Sequence, residues 1–253
     1  MEPKSLNIQP IKPAATVILV RPAKPSGFEI FMLRRTSKAA FAGGMYVFPG
    51  GRVDPEDHFN KYAQVCTGPA EVQAAQAKAL GYDHLGYWVA GIRESFEEAG
   101  LLLAYDAAGD YLAFADAASA ERFAALREPL HNNELSLHDI CTQQNLTLAV
   151  DRIHYYNRVV TPPGRPRRFD TRFFIAEAPA GQTGEHDHIE TVDSLWITPQ
   201  DALAKFTAGE LGLMRITEMQ LTEMAAHPTM DALLEMARIR QQFPVSRPAL
   251  PRN

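Results

Sequence analysis

Leu85-Gly-Tyr-Trp-Val-Ala-Gly-Ile-Arg-Glu-Ser-Phe-Glu-Glu-Ala-Gly100 is the stretch on which the reading of this 253-residue chain turns. At about 100° per residue, Glu94, Glu97 and Glu98 fall within an arc of about 100°, while Val89, Ile92, Phe96 and Ala99 gather on the opposite side. One face is therefore core and the other a carboxylate cluster, and Gly100 stops the helix. Glu94 and Glu98 form a like-charge i,i+4 pair, which costs a few tenths of a kcal/mol on an isolated helix and calls for compensation. A solvated acidic face is one solution. A divalent cation is the other, because oxygen-only ligands suit hard ions such as Mg²⁺ or Mn²⁺. Arg93, four residues before Glu97, can brace one carboxylate from the side.

The loop upstream favours the cation. Phe48-Pro-Gly-Gly51 permits a tight turn whose backbone can approach an ion or a phosphate with no side chain in the way. With it, Gly51-x5-Asp57 and Arg93-Glu-Ser-Phe-Glu-Glu-Ala-Gly-Leu101 resemble the Nudix box of the Nudix hydrolases, G-x5-E-x7-R-E-U-x-E-E-x-G-U, where U is aliphatic. The match departs from the pattern at three points. Residues 58–92 make 35 positions where the pattern has 7, so 28 residues are inserted inside the box; Asp57 stands for Glu; and Ser95 stands for an aliphatic residue. The interrupted box, with Leu33-Arg-Arg35 and Arg167-Arg-Phe-Asp-Thr-Arg-Phe-Phe174, is similar to the coenzyme A diphosphatase branch, typified by a peroxisomal member.

Outward from the box, Ala14–Val20 and Phe28–Leu33 read as a hairpin, and Met45–Phe48 as a short strand stopped by Pro49-Gly-Gly51. Residues 70–80 form an Ala-rich helix closed by Gly81, inside an inserted piece that spans 58–86. A strand is expected over 101–105, and helices over 119–126 and 136–145, the latter capped by Ser136. Strands follow over 153–160, 168–176 and 191–197. Thr198-Pro199 starts a helix, two more cover 216–226 and 230–242, and the proline-rich end from 244 reads as a flexible tail. What the resemblance implies is one Nudix domain over 1–243: an α/β/α sandwich with a mixed β-sheet, extended by helical insertions at 58–86 and 106–146.

The resemblance also implies chemistry: hydrolysis of a diphosphate by water, assisted by Mg²⁺ or Mn²⁺. Glu94, Glu97, Glu98 and the Gly50 carbonyl would be metal ligands, and Arg93 would orient Glu97. The general base would be Glu94 or a later acid, Glu190. Gly51, Arg34, Arg35 and Arg168 are candidate substrate-binding positions, one of Arg34 and Arg35 facing the pocket by strand alternation. If a strand begins at Arg168, then Arg168, Asp170 and Arg172 share one face and Phe169, Thr171 and Phe173 the other; the arginines then serve either a phosphate or an Arg–Asp ladder between strands.

The expected reaction splits coenzyme A or acyl-coenzyme A into adenosine 3′,5′-bisphosphate and (acyl-)4′-phosphopantetheine. Two alternatives stand beside it: a hydrolase for ADP-ribose, NADH or dinucleoside polyphosphates, and a nucleotide-sensing module without turnover. The latter is disfavoured because all three box glutamates are present.

The remaining features exclude more than they assign. Net charge is −5, from 25 basic and 30 acidic residues, which is no footprint for nucleic acid or an anionic membrane, so the expected partner is a small nucleotide diphosphate. The resemblance allows a homodimer, though no exposed apolar stripe speaks for one. His186-Asp-His188 reads as a polar turn rather than a metal site. Cys66 and Cys141 read as ordinary thiols. Trp88 and Tyr87 read as packing residues, with adenine stacking as the alternative. No basic and apolar leader opens the sequence at Met1-Glu-Pro-Lys, and cytoplasm is the expected compartment.

Overall fold

The computed structural model describes residues 9–39 and 41–248. Its first third is strand-rich: β1 (Ile11–Pro22), β2 (Phe28–Arg35), β3 (Tyr46–Val47) and β4 (Gly50–Arg52). Two helices follow, α1 (Ala74–Leu80) and α2 (His84–Ala99), then the strand β5 (Ala104–Tyr105) and the short helices α3 (Ala117–Ala124), α4 (Arg127–His131) and α5 (Leu137–Gln144). The rest comprises β6 (Thr147–Leu148), β7 (Ile153–Val160), β8 (Arg168–Glu177), β9 (Thr191–Ile197), α6 (Pro199–Thr207), α7 (Arg215–Ala225), α8 (Met230–Ile239) and β10 (Val245–Ser246).

Eight strands form one mixed sheet in the order β10-β7-β8-β1-β2-β3, with β4 also on β1 and β9 on β2; β5 and β6 pair separately. The long β1 is the spine. It runs parallel to β8 from Ile11↔Arg168 to Val20↔Glu177, and its other edge takes β4 at Ala14–Thr16 and β2 at Val20–Pro22. This register places Gly50-Gly51 beside Ala15 and Thr16, at the end of the sheet that α2 crosses.

Residues of β1 alternate between two cores, as the period of two requires. Ala15, Val17 and Leu19 join Trp88, Val89, Ile92 and Phe96 of α2 on one face. Ile18 and Val20 join residues of α6, α7 and α8, such as Ala202, Leu221 and Leu233, on the other. The sheet is thus sandwiched between helices, as an α/β/α arrangement demands.

The segment inserted in the box is bound to the rest by buried amides. Gln73 Nε2 donates to Val150 and Ile153 carbonyls at 3.0 and 2.8 Å, while Gln76 accepts from Tyr155 N–H (2.6 Å) and donates to Ala237 (3.0 Å). Side chains satisfy backbone groups that would otherwise be buried without partners.

Two expectations change. The strand expected over 101–105 is reduced to Ala104–Tyr105, since Leu101, Leu102 and Leu103 are fully buried and Gln182, rather than a neighbouring strand, binds Leu102 N–H and C=O at 2.8 and 3.1 Å. The tail expected from 244 begins instead with β10, which pairs in parallel with Arg158 and Val159; residues 249–253 lie outside the described residues. Among the described residues no helix is long and apolar enough to cross a membrane.

Candidate active site

A cleft of about 410 Å³ opens where α2, the Gly50-Gly51 turn and the end of the sheet meet. Glu94, Glu97 and Glu98 line it, as do Gly50, Gly51, Arg35, Arg93 and Glu190. The expected helix runs almost as read from the sequence: Val89, Ile92, Phe96 and Ala99 are fully buried, and Gly100 adopts φ +67 in the left-handed region that glycine tolerates. Gly100 N–H donates to Phe96 and Leu101 N–H to Ser95, closing the helix end. Ser95 is the box position where the pattern has an aliphatic residue. Here its Oγ donates to the Leu101 carbonyl at 2.8 Å from a fully buried position, so the departure fastens the turn that follows the helix.

The acidic face is not solvated. Glu94 is 9% and Glu98 7% exposed, because the backbone of β4 lies directly on them. A Cβ built on Gly51 would stand 2.5 Å from both Glu94 carboxylate oxygens, and one on Gly50 would meet the Ala15 carbonyl at 2.6 Å. Gly50 N–H donates to Glu98 Oε2 at 2.9 Å. These contacts explain in steric terms why two glycines precede the carboxylate helix.

Arg93 organises the cluster, and does more than the bracing of Glu97 expected of it. Its Nε and Nη2 donate to the two oxygens of Asp57 at 3.0 Å each, its Nη2 also reaches the Arg52 carbonyl at 2.8 Å, and its Nη1 reaches Glu94 at 2.9 Å and Glu97 at 3.3 Å. Asp57, 2% exposed, is therefore the buried anchor of the guanidinium. Burial alone would lower the Arg93 pKa, but Glu94, Asp57 and Glu97 outweigh it and raise it.

Burial pushes the Glu94 carboxyl up to about 8 against the pull of Arg93. Burial, with the neighbouring Glu94 charge, holds Glu98 well above the usual carboxylate range, and burial also raises Glu97. Among the described residues no three acidic, His or Cys side chains already converge on one point, since Arg93 lies against Glu94 and Glu97 while Glu98 turns to the Gly50 amide.

Of the two arginines that close β2, Arg35 faces the cleft. Its Nη2 is 2.8 Å from Glu190 and its Nη1 3.8 Å from Glu98, while its Nε is buried without a partner. Arg34 points to the other face, toward Asp193 at 3.7 Å, and lines no part of the cleft. Arg168 is not brought to the cleft either: it is buried and donates to the Thr161 and Gln9 carbonyls at 3.2 and 3.1 Å. Its strand neighbours form an ion-pair ladder, Arg158–Asp170 at 2.6 Å and Arg172–Asp170 at 2.9 Å. Tyr87 packs under Arg172 at 4.3 Å, and Trp88 is fully buried with its indole N–H on the Ile153 carbonyl, so neither ring is free to stack on a base.

Sequence reasoning missed two contributors. Arg127, from the helical insertion expected over 106–146, donates to the carbonyls of Glu97, Glu98 and Glu185 at 3.0, 3.0 and 2.9 Å and so caps the carboxylate end of α2. No local pattern announces it, because its partners are 29, 30 and 58 residues away. The second is the apolar part of the cleft, where Phe48, Phe169, Phe173, Val159 and Met214 meet. The alternation 169, 171, 173 was the available signal.

A family profile for the NUDT19 Nudix domain matches residues 69–225. The chain belongs to the NUDT19 Nudix domain family. Its similarity to acyl-coenzyme A diphosphatase NUDT19 is 26% identity over 225 residues for the human protein, covering 76% of this chain and 59% of the relative. The Xenopus laevis protein of the same name is 23% identical over 215 residues, covering 74% and 57%. The chain thus spans between 57% and 60% of the length of these curated relatives and of the Caenorhabditis elegans putative nudix hydrolase 7. Among solved structures, a NUDIX hydrolase from Alicyclobacillus acidocaldarius superposes with a TM-score of 0.75 at 26% identity, covering 90% of this chain and 96% of the other. That superposition agrees with the α/β sandwich described above.

Proposed function

We propose that this chain is a divalent-cation-dependent diphosphatase that cleaves coenzyme A or acyl-coenzyme A to adenosine 3′,5′-bisphosphate and (acyl-)4′-phosphopantetheine. One observation carries the reading: three glutamates of one helix line one cleft, Glu94 and Glu98 pressed against the Gly50-Gly51 backbone, at a depth where burial raises all three carboxyls. Family membership and the names of the acyl-coenzyme A diphosphatase relatives support the choice of substrate.

The donor set fits a hard cation. It is made of oxygens only, from Glu94, Glu97, Glu98 and the Gly50 carbonyl, and burial has raised the pKa of each carboxyl, which a positive charge would reverse. Mg²⁺ or Mn²⁺, when bound, would neutralise the diphosphate and polarise the attacking water. The protein's own groups position the reactants. Arg93, locked by Asp57, sets the orientation of Glu94 and Glu97. Arg35 lines the cleft with its guanidinium between Glu98 and Glu190, suited to an oxygen of the bridging diphosphate. Glu94, deep in the cleft, and Glu190, held by Arg35 at its mouth, are the two carboxylates able to accept the proton of water. Gly51 lets its own backbone lie against the Glu94 carboxylate, where any side chain would intrude.

The test is product identification. Purified protein with Mg²⁺ or Mn²⁺ should release adenosine 3′,5′-bisphosphate from coenzyme A. Turnover of ADP-ribose, NADH or a diadenosine polyphosphate without coenzyme A would keep the diphosphatase chemistry and discard this substrate, and binding of nucleotides without any turnover would leave a sensing module.

A further inference from the structure

Four guanidinium groups fall within residues 165–172, and the site described above uses none of them. Strand parity separates them. Arg168, Asp170 and Arg172 lie on one face of β8, where carbonyls and the Arg158–Asp170–Arg172 ladder consume them. The opposite parity, Phe169, Thr171 and Phe173, lines the cleft, and the alternation extends one step upstream to Arg167, which lines it too. Arg165 does not.

The charge balance of the cleft singles out Arg167 again. Six carboxylates and four guanidinium groups line it. Arg35, Arg52 and Arg93 each face a carboxylate already, at 2.8, 3.3 and 3.0 Å, whereas Arg167, among the described residues, faces none. Next to it, Phe41 and Phe169 meet edge to face with centroids 5.8 Å apart, and Phe41 is 39% exposed at the cleft wall. An exposed ring, Phe41, backed by Phe169 in a cleft that a free guanidinium also lines, is a combination that recognises a base carrying a phosphate: the ring stacks, and the arginine takes the anion. An aliphatic chain would use the rings but leave the cation idle.

We infer that Arg167, with the Phe41–Phe169 pair, forms a subsite for the nucleotide end of the substrate, Arg167 reading a phosphomonoester additional to the diphosphate. In coenzyme A that group is the 3′-phosphate. The inference rests on the coenzyme A reading above and deepens it by naming the residue that separates coenzyme A from its dephospho form.

The experiment compares wild type, Arg167→Ala, Arg167→Lys and, as a neighbour outside the cleft, Arg165→Ala. Two quantities are measured with Mg²⁺ present: the ratio of kcat/KM for coenzyme A over dephospho-coenzyme A, and the ratio of affinities for adenosine 3′,5′-bisphosphate over AMP by calorimetry. One charge-assisted contact predicts a fall of about tenfold in both ratios for Arg167→Ala, a smaller fall for Arg167→Lys, and the wild-type ratios for Arg165→Ala. Ratios in Arg167→Ala equal to wild type, a wild type that does not distinguish the two ligands, or an equal loss in Arg165→Ala would each overturn the assignment. If coenzyme A is not hydrolysed while another diphosphate is, the substrate reading fails, and the calorimetric ratio still decides for or against Arg167.

Discussion

Removing the Asp57 carboxylate should loosen the whole carboxylate cluster. Asp57 is 2% exposed, accepts two hydrogen bonds at 3.0 Å from Arg93, and accepts a third from Asp54 N–H at 2.8 Å. Deleting one partner of a buried ion pair costs about 3–5 kcal/mol when the survivor is left alone. Arg93 is not left alone in Asp57→Ala, because Glu94 and Glu97 still face it at 2.9 and 3.3 Å. The expected loss is therefore at the low end, about 3 kcal/mol, which for a domain of this size lowers Tm by about 6–12 °C. Arg93→Leu should cost more, since it leaves Asp57, Glu94 and Glu97 facing one another without their common partner. The double variant should then be more stable than the sum of the two losses predicts, by about 2 kcal/mol. Urea unfolding of the four proteins followed by circular dichroism, with calorimetric Tm values, gives the cycle. An Asp57→Ala loss below about 0.5 kcal/mol, or strict additivity, would refute the claim that Asp57 anchors Arg93.

Other outcomes follow from the same geometry. Gly51→Ala places a Cβ where both Glu94 oxygens now lie, so diphosphatase kcat should fall at least about 10²-fold with less loss of Tm than Asp57→Ala shows; steady-state kinetics with circular dichroism checks it. Arg127→Ala frees the carbonyls of Glu97 and Glu98, and should lower stability by about 2 kcal/mol and speed hydrogen exchange at Gly100 and Leu101 more than at the centre of α2. His154 is buried with an unpartnered Nδ1, and burial, helped by Arg238, lowers its pKa to about 4. The unfolded chain, whose histidine titrates near 6.5, then binds the proton first, so stability falls as pH drops through that window. At pH 5 the loss is about 2 kcal/mol relative to pH 8, and His154→Leu should lack this part of the pH dependence in urea unfolding.

Periodicity carried the helix and its neighbours because burial follows it: the apolar face of 85–100 is core, and the β8 alternation divides ladder from cleft. What periodicity could not supply was which face of β8 meets the cleft, so Arg168 reads as a phosphate candidate while Arg167 has the parity of the cleft. The burial of the acidic face was also beyond the helix itself. It comes from Gly50-Gly51, which lie on the helix only because β4 pairs with β1. Arg127 and the β10 pairing are long-range events between segments with no local signature, and Asp57 could be seen as a box position but not as the anchor of Arg93.

In the function proposed above, the carboxylates of α2 support diphosphate hydrolysis of coenzyme A. The most direct measurement is chromatographic and mass analysis of products from coenzyme A with Mg²⁺ or Mn²⁺, for wild type and Glu98→Gln, a change that removes one buried charge while keeping the shape. Adenosine 3′,5′-bisphosphate and 4′-phosphopantetheine from the wild type, reduced by at least about 10²-fold in the variant, is the predicted result. Equal release by the two proteins, or none from a folded wild type, would contradict it.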